Sequence, residues 1–447
     1  MPEKQHVQEW AQGALGIWQT KTSTAAQNKR FFNVLHNMTL LKGGLHTRPG
    51  LKRITGAQLG SGSDRTVYNF SVFPGNPDLL VTACGSTLQT VSTSGGDPSS
   101  MTDSLPSGYG AYIGAFPTSM VYINGSLHIV NNSSSNRKYN GTNITRMGLV
   151  TPSTLAAPTK AGGALTLTRN YRATLIANTL NGSGESDPTA VTSVTYAAQD
   201  GTFASPTVPS SDPQVDRWLL YGEATGVYYR VNDTPQTLAT SIVDSLSDAV
   251  LATHTPMEPV GTNTPPPGNF SVLFTHQGRL VGATNSSALY YSDLGLDAGG
   301  LYPKPHAWPT SNVIQFPETG GKTITGGVSF FEWAVICQQN GIWSVKGDIA
   351  DEETRTISPL MVAPDFQGLG VPNQSCLRLL DNILLVAAKD GAYIIKRNDS
   401  FGQSFLSVEP VSAHINQLWQ RINFTTGAAS LADRDNKRWI FIGTGGN

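Results

Sequence analysis

The chain has 447 residues, of which 14% are charged and 39% apolar, with 46 Gly and 27 Pro. With 8 Trp, 14 Tyr and 16 Phe spread along the length, this composition argues against disorder and against long surface helices, and predicts many turns and short strands. The 30 basic and 31 acidic residues leave a net charge of −1, whereas a protein that coats nucleic acid would be strongly basic.

At the N-terminus, Glu3, Lys4, Gln5, His6 and Glu9 surround no apolar run, which does not read as a signal peptide. No stretch of about 18 apolar residues follows, so no membrane-spanning segment is expected. The sequons at Asn37, Asn124 and Asn143 then read as turn asparagines. From Trp10 to Ser63 there is no Asp or Glu, but there are seven bases including Lys21. For any one of them solvated surface is the better reading. As a group, Lys29, Arg30, Lys42, Arg48, Lys52 and Arg53 are candidate docking residues for an acidic surface such as a neighbouring subunit.

Beyond this arm one pattern recurs: a polar turn, then a short apolar strand. The copies are Leu79–Ala83, Ser126–Val130, Arg279–Ala283, Trp333–Cys337, Ile383–Ala388 and Lys437–Ile442. A further strand precedes each: Val67–Phe73, Ser119–Ile123, Phe270–Thr275, Thr323–Phe331, Ser375–Leu380 and Thr425–Leu431. Most copies are followed by another: Thr87–Ser92, Ala288–Ser292, Ile342–Lys346 and Ala392–Lys396, the last two behind Asn340-Gly341 and Asp390-Gly391, which read as two-residue hairpin turns. With turns at 78, 124, 277, 332, 381 and 435, four of the five intervals average 51 residues, and the fifth is longer by 102. Repeats of about 40–50 residues with three or four strands are the signature of β-propeller blades. The expected fold is all-β: a six-bladed β-propeller with an inserted β-sandwich. The segments are 1–63 (arm and closing segment), 64–151 (blades one and two), 152–260 (insertion) and 261–447 (blades three to six). The last blade is short, and the N-terminal segment is the expected donor of a closing strand.

The insertion reads as an immunoglobulin or fibronectin type III sandwich. Its strands are Thr166–Ala177, Ala190–Tyr196, and a hairpin of Val215–Tyr221 with Val227–Val231; Ser241–Leu251 reads as strand or helical turn. It carries ten acids against five bases.

Signals for chemistry are sparse. Cys84, Cys337 and Cys376 adjoin apolar runs and read as reduced buried thiols, with no zinc-like spacing. No two histidines fall at ligand spacing, and His128, inside an apolar strand, reads as a core or channel histidine. Asp351-Glu352-Glu353 reads as a solvated loop rather than a cation site. No nucleophile elbow, zincin, P-loop or dinucleotide fingerprint occurs. A glycosidase carboxylate pair leaves no spacing signature, since any two acids can meet in space. The expectation is therefore a protein that is not an enzyme and uses no cofactor.

Leu40-Leu41-Lys42-Gly43-Gly44-Leu45-His46-Thr47-Arg48-Pro49-Gly50 resembles the Gly-Leu-x-x-Arg-Pro-Gly element of bacteriophage tail nozzle and tail hub proteins, with Asn33 and Asn37 preceding it. His276–Leu280 with Tyr290-Tyr291-Ser292, Asn340–Gly347 and Lys389–Tyr393 resemble blades of the same family, and Ser183–Asp187 and Trp218–Tyr221 its sandwich domain. The resemblance covers most of residues 28–442, and the order of the motifs is its stronger part. It implies a structural virion protein: a homohexameric ring below the portal and adaptor of a short-tailed phage. Such a ring forms a channel that retains the packaged genome and releases it at infection. The implied partners are further copies of the chain, the adaptor or head-to-tail connector, tail fibre or plug proteins, and double-stranded DNA in transit. The implied location is the virion tail, after synthesis in the host bacterial cytoplasm. The alternative is a receptor- or glycan-binding propeller of the tail, with Tyr109, Tyr112, Tyr302 and Trp308 as candidate sugar platforms. A propeller hydrolase has fold-level support alone.

Overall fold

The computed structural model describes residues 79–92, 99–103, 118–179, 182–209, 212–297, 300–317, 323–360, 370–380, 382–400 and 403–412. It also describes residues 112–113 and 419, and short strands at 16–17, 31–32, 38–41, 44–47, 65–69, 429–434 and 437–442. The protein is all-β. Its contacts separate two compact units, Ala57–Phe316 in one and Met1–Gly56 with Pro317–Asn447 in the other.

In the first unit, three antiparallel meanders are built from strands that neighbour one another along the chain. The first pairs Arg65–Asn69, Leu79–Cys84, Thr87–Ser92 and Ser99–Ser100. The second pairs Ser119–Ile123, Ser126–Val130, Arg137–Tyr139 and Asn143–Arg146, with Thr102–Asp103 added in parallel at its edge. The third pairs Val272–His276, Arg279–Ala283, Ala288–Tyr291 and Val313–Gln315. A separate hairpin, Asp293–Asp297 with Gly300–Lys304, leaves the third meander before its last strand. In each meander the repeated apolar segment is the second strand. It is buried on both faces: Val81, Thr82, Ala83 and Cys84 in the first, and all five residues of Arg279–Ala283 in the third. Two-residue turns set the register where the backbone can turn left-handed. Asn124-Gly125 (φ 47° and 75°) and Gln277-Gly278 (φ 49° and 74°) both do so, the geometry that matches strand twist.

The insertion is two sheets over one core. Thr159–Gly162, Gln199–Phe203 and Ile242–Asp244 form one sheet. The other is led by the long Thr168–Thr179, which pairs with Gly182–Glu185, Thr192–Thr195 and Val215–Ala224; the last also pairs with Val227–Arg230 and Gln236–Thr237. Inward residues from both sheets meet in one cluster that includes Tyr171, Leu175, Phe203, Trp218, Leu220 and Ile242. Tyr171 lies against Phe203 at 4.5 Å between ring centroids. The stretch read as strand or helical turn contains both, Ile242–Asp244 followed by a helix at Asp248–Leu251.

The second unit holds two more meanders: Ile324–Phe330, Trp333–Gln338, Gly341–Lys346 and Thr356–Pro359, then Leu377–Leu380, Ile383–Ala387, Ala392–Ser400 and Gln403–Pro410. Their turns differ from the expected pairs by a residue or more. Gln338 pairs with Gly341, so the loop is Gln339-Asn340; Ala387 pairs with Ala392, so four residues make the other turn, closed by the Ala388 N–H donating to the Gly391 carbonyl. Loop length, not the Asn-Gly or Asp-Gly dipeptide, decides the turn here. Met38–Leu41 pairs with Gly44–Thr47, and Ala429–Arg434 with Lys437–Ile442; among the described residues each pair stands as a two-stranded sheet.

Candidate functional site

A cavity that gathers titratable groups lies in the Ala57–Phe316 unit, where the second meander, the insertion and the segment after the exposed hairpin converge. Its walls are Asn124, Ser126, His128, Lys138, Gly148, Leu149, Ala177, Gly184, Pro305 and His306, around an empty volume of about 410 Å³ that includes its mouth.

The strand Ser126–Val130 builds the first wall by alternation. Leu127 and Ile129 enter the apolar core of the first two meanders, so Ser126 and His128 face the other way. Register places Lys138 directly across from His128, with Val121 on its other flank. His128 is 1% exposed, and neither ring nitrogen has a hydrogen-bond partner. Burial holds its pKa down at about 3, helped by the positive charge of Lys138. Burial likewise lowers the Lys138 ammonium to about 8, opposed by Asp212.

The opposite wall is His306, brought in by the hairpin whose last strand ends at Lys304. Gly184 permits the approach: a Cβ there would lie 3.1 Å from His306 Cγ, tighter than ordinary contact. Burial also lowers His306 to about 3, assisted by Lys138 and Lys304. Glu185, next in the strand, points away and accepts from Thr174 Oγ1 at 2.7 Å and the Tyr221 hydroxyl at 2.6 Å; burial raises its carboxyl. The other charges nearby are engaged. Lys304 Nζ meets Glu258 Oε1 at 2.5 Å. Asp212 accepts from Gln214 Nε2 at 2.9 Å and lies 3.9 Å from Arg146 Nε. Every titratable residue in the walls is therefore basic.

A second polar cluster sits inside the insertion and pairs its cation with two carboxylates. Arg169 donates from Nη1 to Asp244 and from Nη2 to Asp248, both at 2.5 Å, and from Nη2 to the Leu246 carbonyl at 2.8 Å. The Tyr171 hydroxyl also donates to Asp244, and burial together with that carboxylate pushes the Tyr171 pKa far up.

The six basic residues proposed for docking, Lys29, Arg30, Lys42, Arg48, Lys52 and Arg53, lie outside the described residues, as does Tyr109. Tyr112 is buried, bonded through its hydroxyl to Thr118 at 2.7 Å, and Trp308 is buried with Nε1 donating to the Pro305 carbonyl. Neither offers a face to a sugar; Tyr302, 39% exposed, does. Beside it Leu296 and Leu301, cross-strand partners in the hairpin, are 77% and 71% exposed. The three cysteines are buried free thiols. In the Asp351 loop, Asp351 accepts the Glu353 N–H and the Thr354 hydroxyl, and Arg355 pairs with the exposed Glu352. Sequence reasoning singled out His128 alone. The alternation of Ser126 and His128 and the short hairpin to Lys138 were the available signals; nothing pointed to His306.

The sequence matches no protein-family model and no curated protein. Solved structures similar to it include apo AztD from Citrobacter koseri (14% identity over 75% of this chain and 87% of that one, TM-score 0.24). BBS1N in complex with ARL6DN matches at 12% identity over 77% of this chain and 80% of that one, with a TM-score of 0.28. Sqt1 from Saccharomyces cerevisiae matches at 11% identity over 75% and 83%, with a TM-score of 0.23. Likeness at this level says nothing about what the chain does.

Proposed function

We propose that the meanders are the blades of a six-bladed β-propeller and that the chain is a structural subunit of a bacteriophage tail, a nozzle or hub ring through which the genome is retained and then ejected. The observation that carries this reading is the order of the elements: antiparallel meanders repeated along the chain, interrupted once, after the second, by a two-sheet insertion. That is the order the tail nozzle family implies, and the Leu40–Gly50 motif stands ahead of it. Low charge is a second support, because a conduit for DNA works best when its wall does not hold phosphates. The exposed Leu296, Leu301 and Tyr302 supply an apolar tip suited to contact with a neighbouring copy or an adaptor. Among the described residues the glycan-binding alternative keeps Tyr302.

Cryo-electron microscopy of the particle that carries this chain tests the reading. A closed six-fold ring on the tail axis, with a lumen wider than a duplex, is the expected result. Peripheral trimers, or no symmetric ring, would overturn it and make a glycan screen the next step.

A further inference from the structure

We propose that the cavity walled by His128, Lys138 and His306 is a binding site for a small oxyanion of the phosphate class, held by the Lys138 ammonium and by ring N–H groups of the two histidines. The inference stands apart from the tail-channel reading and does not depend on it.

Three observations converge. His128 is almost wholly buried, yet both its ring nitrogens lack partners and the residue lines the cavity. Buried polar groups in folded proteins are otherwise paired, so such a group calls for a water, an ion or a ligand. Lys138 stands directly opposite on the neighbouring strand, and no carboxylate hydrogen bonds to it among the described residues. Lastly, the walls hold two imidazoles, one ammonium, the Ser126 hydroxyl and the Asn124 amide, and no acid. That donor set suits an oxyanion. It does not suit a hard cation such as Ca²⁺ or Mg²⁺, for which an ammonium is a repulsive neighbour and carboxylate ligands are missing.

Charge linkage gives the site a pH signature. The groups that face the cavity or its walls are Lys138, Lys304 with its partner Glu258, and Asp212 with its partner Arg146. An anion among them opposes the burial that keeps the histidines neutral, so binding takes up protons and tightens as pH falls. Above about pH 8 Lys138 loses its charge and binding weakens.

The test is a titration of the full chain with inorganic phosphate against chloride at equal ionic strength, read by the histidine ring NMR signals. His128→Asn and His306→Asn variants assign the two signals. The expected result is saturable movement of both, tightening with proton uptake in calorimetry below pH 8. Lys138→Gln should weaken phosphate binding by about 10-fold or more, the scale of one charge-assisted hydrogen bond, while Lys160→Gln, on an exposed edge of the insertion, should not. Ribose 5-phosphate serves as a second probe. Movement with both probes assigns the site to terminal phosphoryl groups, and movement with phosphate alone assigns it to the free ion. The wild-type titration keeps the test decisive should Lys138→Gln fail to fold. Histidine signals that move no more in phosphate than in chloride, or equal losses in Lys138→Gln and Lys160→Gln, would overturn the proposal.

Discussion

Two buried polar clusters of the Ala57–Phe316 unit make opposite bargains with burial. In the insertion, Arg169 is enclosed by Asp244 and Asp248, and Tyr171 completes the set. At the cavity, His128 and His306 are kept neutral beside a lysine that hydrogen bonds to no carboxylate among the described residues. The first arrangement compensates its charges internally and ties the helix Asp248–Leu251 to the sheets. The second sets an ammonium in walls that hold no acid. The difference teaches how to separate polar groups that hold a fold from polar groups that await a ligand: one asks whether each charge has its counter-charge in place.

The sharpest way to break the comparison is acid. His128 and His306 have folded pKa values near 3 against an ordinary 6.5. The unfolded chain therefore binds more protons between those values, and stability must fall as pH drops from 6.5 towards 3. Denaturant midpoints across that range should show the slope, with His128→Leu removing about half of it; an unchanged slope would mean that His128 is not buried neutral. By the same rule the depressed Lys138 makes stability rise with pH between about 8 and 10.5.

Next in size is the closed cluster. Arg169→Met strands the buried Asp244 carboxylate, while Asp248, 53% exposed, turns to water, and should lower unfolding free energy by about 3 kcal/mol in urea titrations. A loss under 1 kcal/mol would show that the cluster is hydrated rather than sealed. The open cluster should respond with the opposite sign. At neutral pH, His128→Leu removes two unpaired buried nitrogens and should stabilise by about 1 kcal/mol, while phosphate binding is lost. Should it destabilise instead, His128 belongs with the structural group. Smallest is the hairpin tip, where Leu296→Ser with Leu301→Ser should shift stability by no more than about 0.5 kcal/mol. Sedimentation velocity should nonetheless show weaker self-association if the tip is a contact between copies.

Much of the fold was legible because strand signals are local. Arg279–Ala283 and Trp333–Cys337 read as strands from their own residues, and the structure holds strands at Arg279–Ala283 and Trp333–Gln338. Turns were less legible. At Asp390-Gly391 the dipeptide suggested two residues where the chain uses four, because pairing between strands sets loop length and the dipeptide only tolerates it. The aromatic candidates Tyr112 and Trp308 illustrate a further limit: loop-like sequence around a ring says little about whether the ring is covered.

By itself, then, the sequence determined an all-β chain of short apolar strands, since side-chain alternation and turn residues act over a few positions. It also put Ser126 and His128 on one face. Only the tertiary structure decided that Lys138 stands across from His128 and that His306, 178 residues further on, closes the same cavity against Gly184. The reason is physical: the lowered pKa values and the unpaired nitrogens arise from desolvation, and desolvation belongs to the packed neighbourhood rather than to any residue in it.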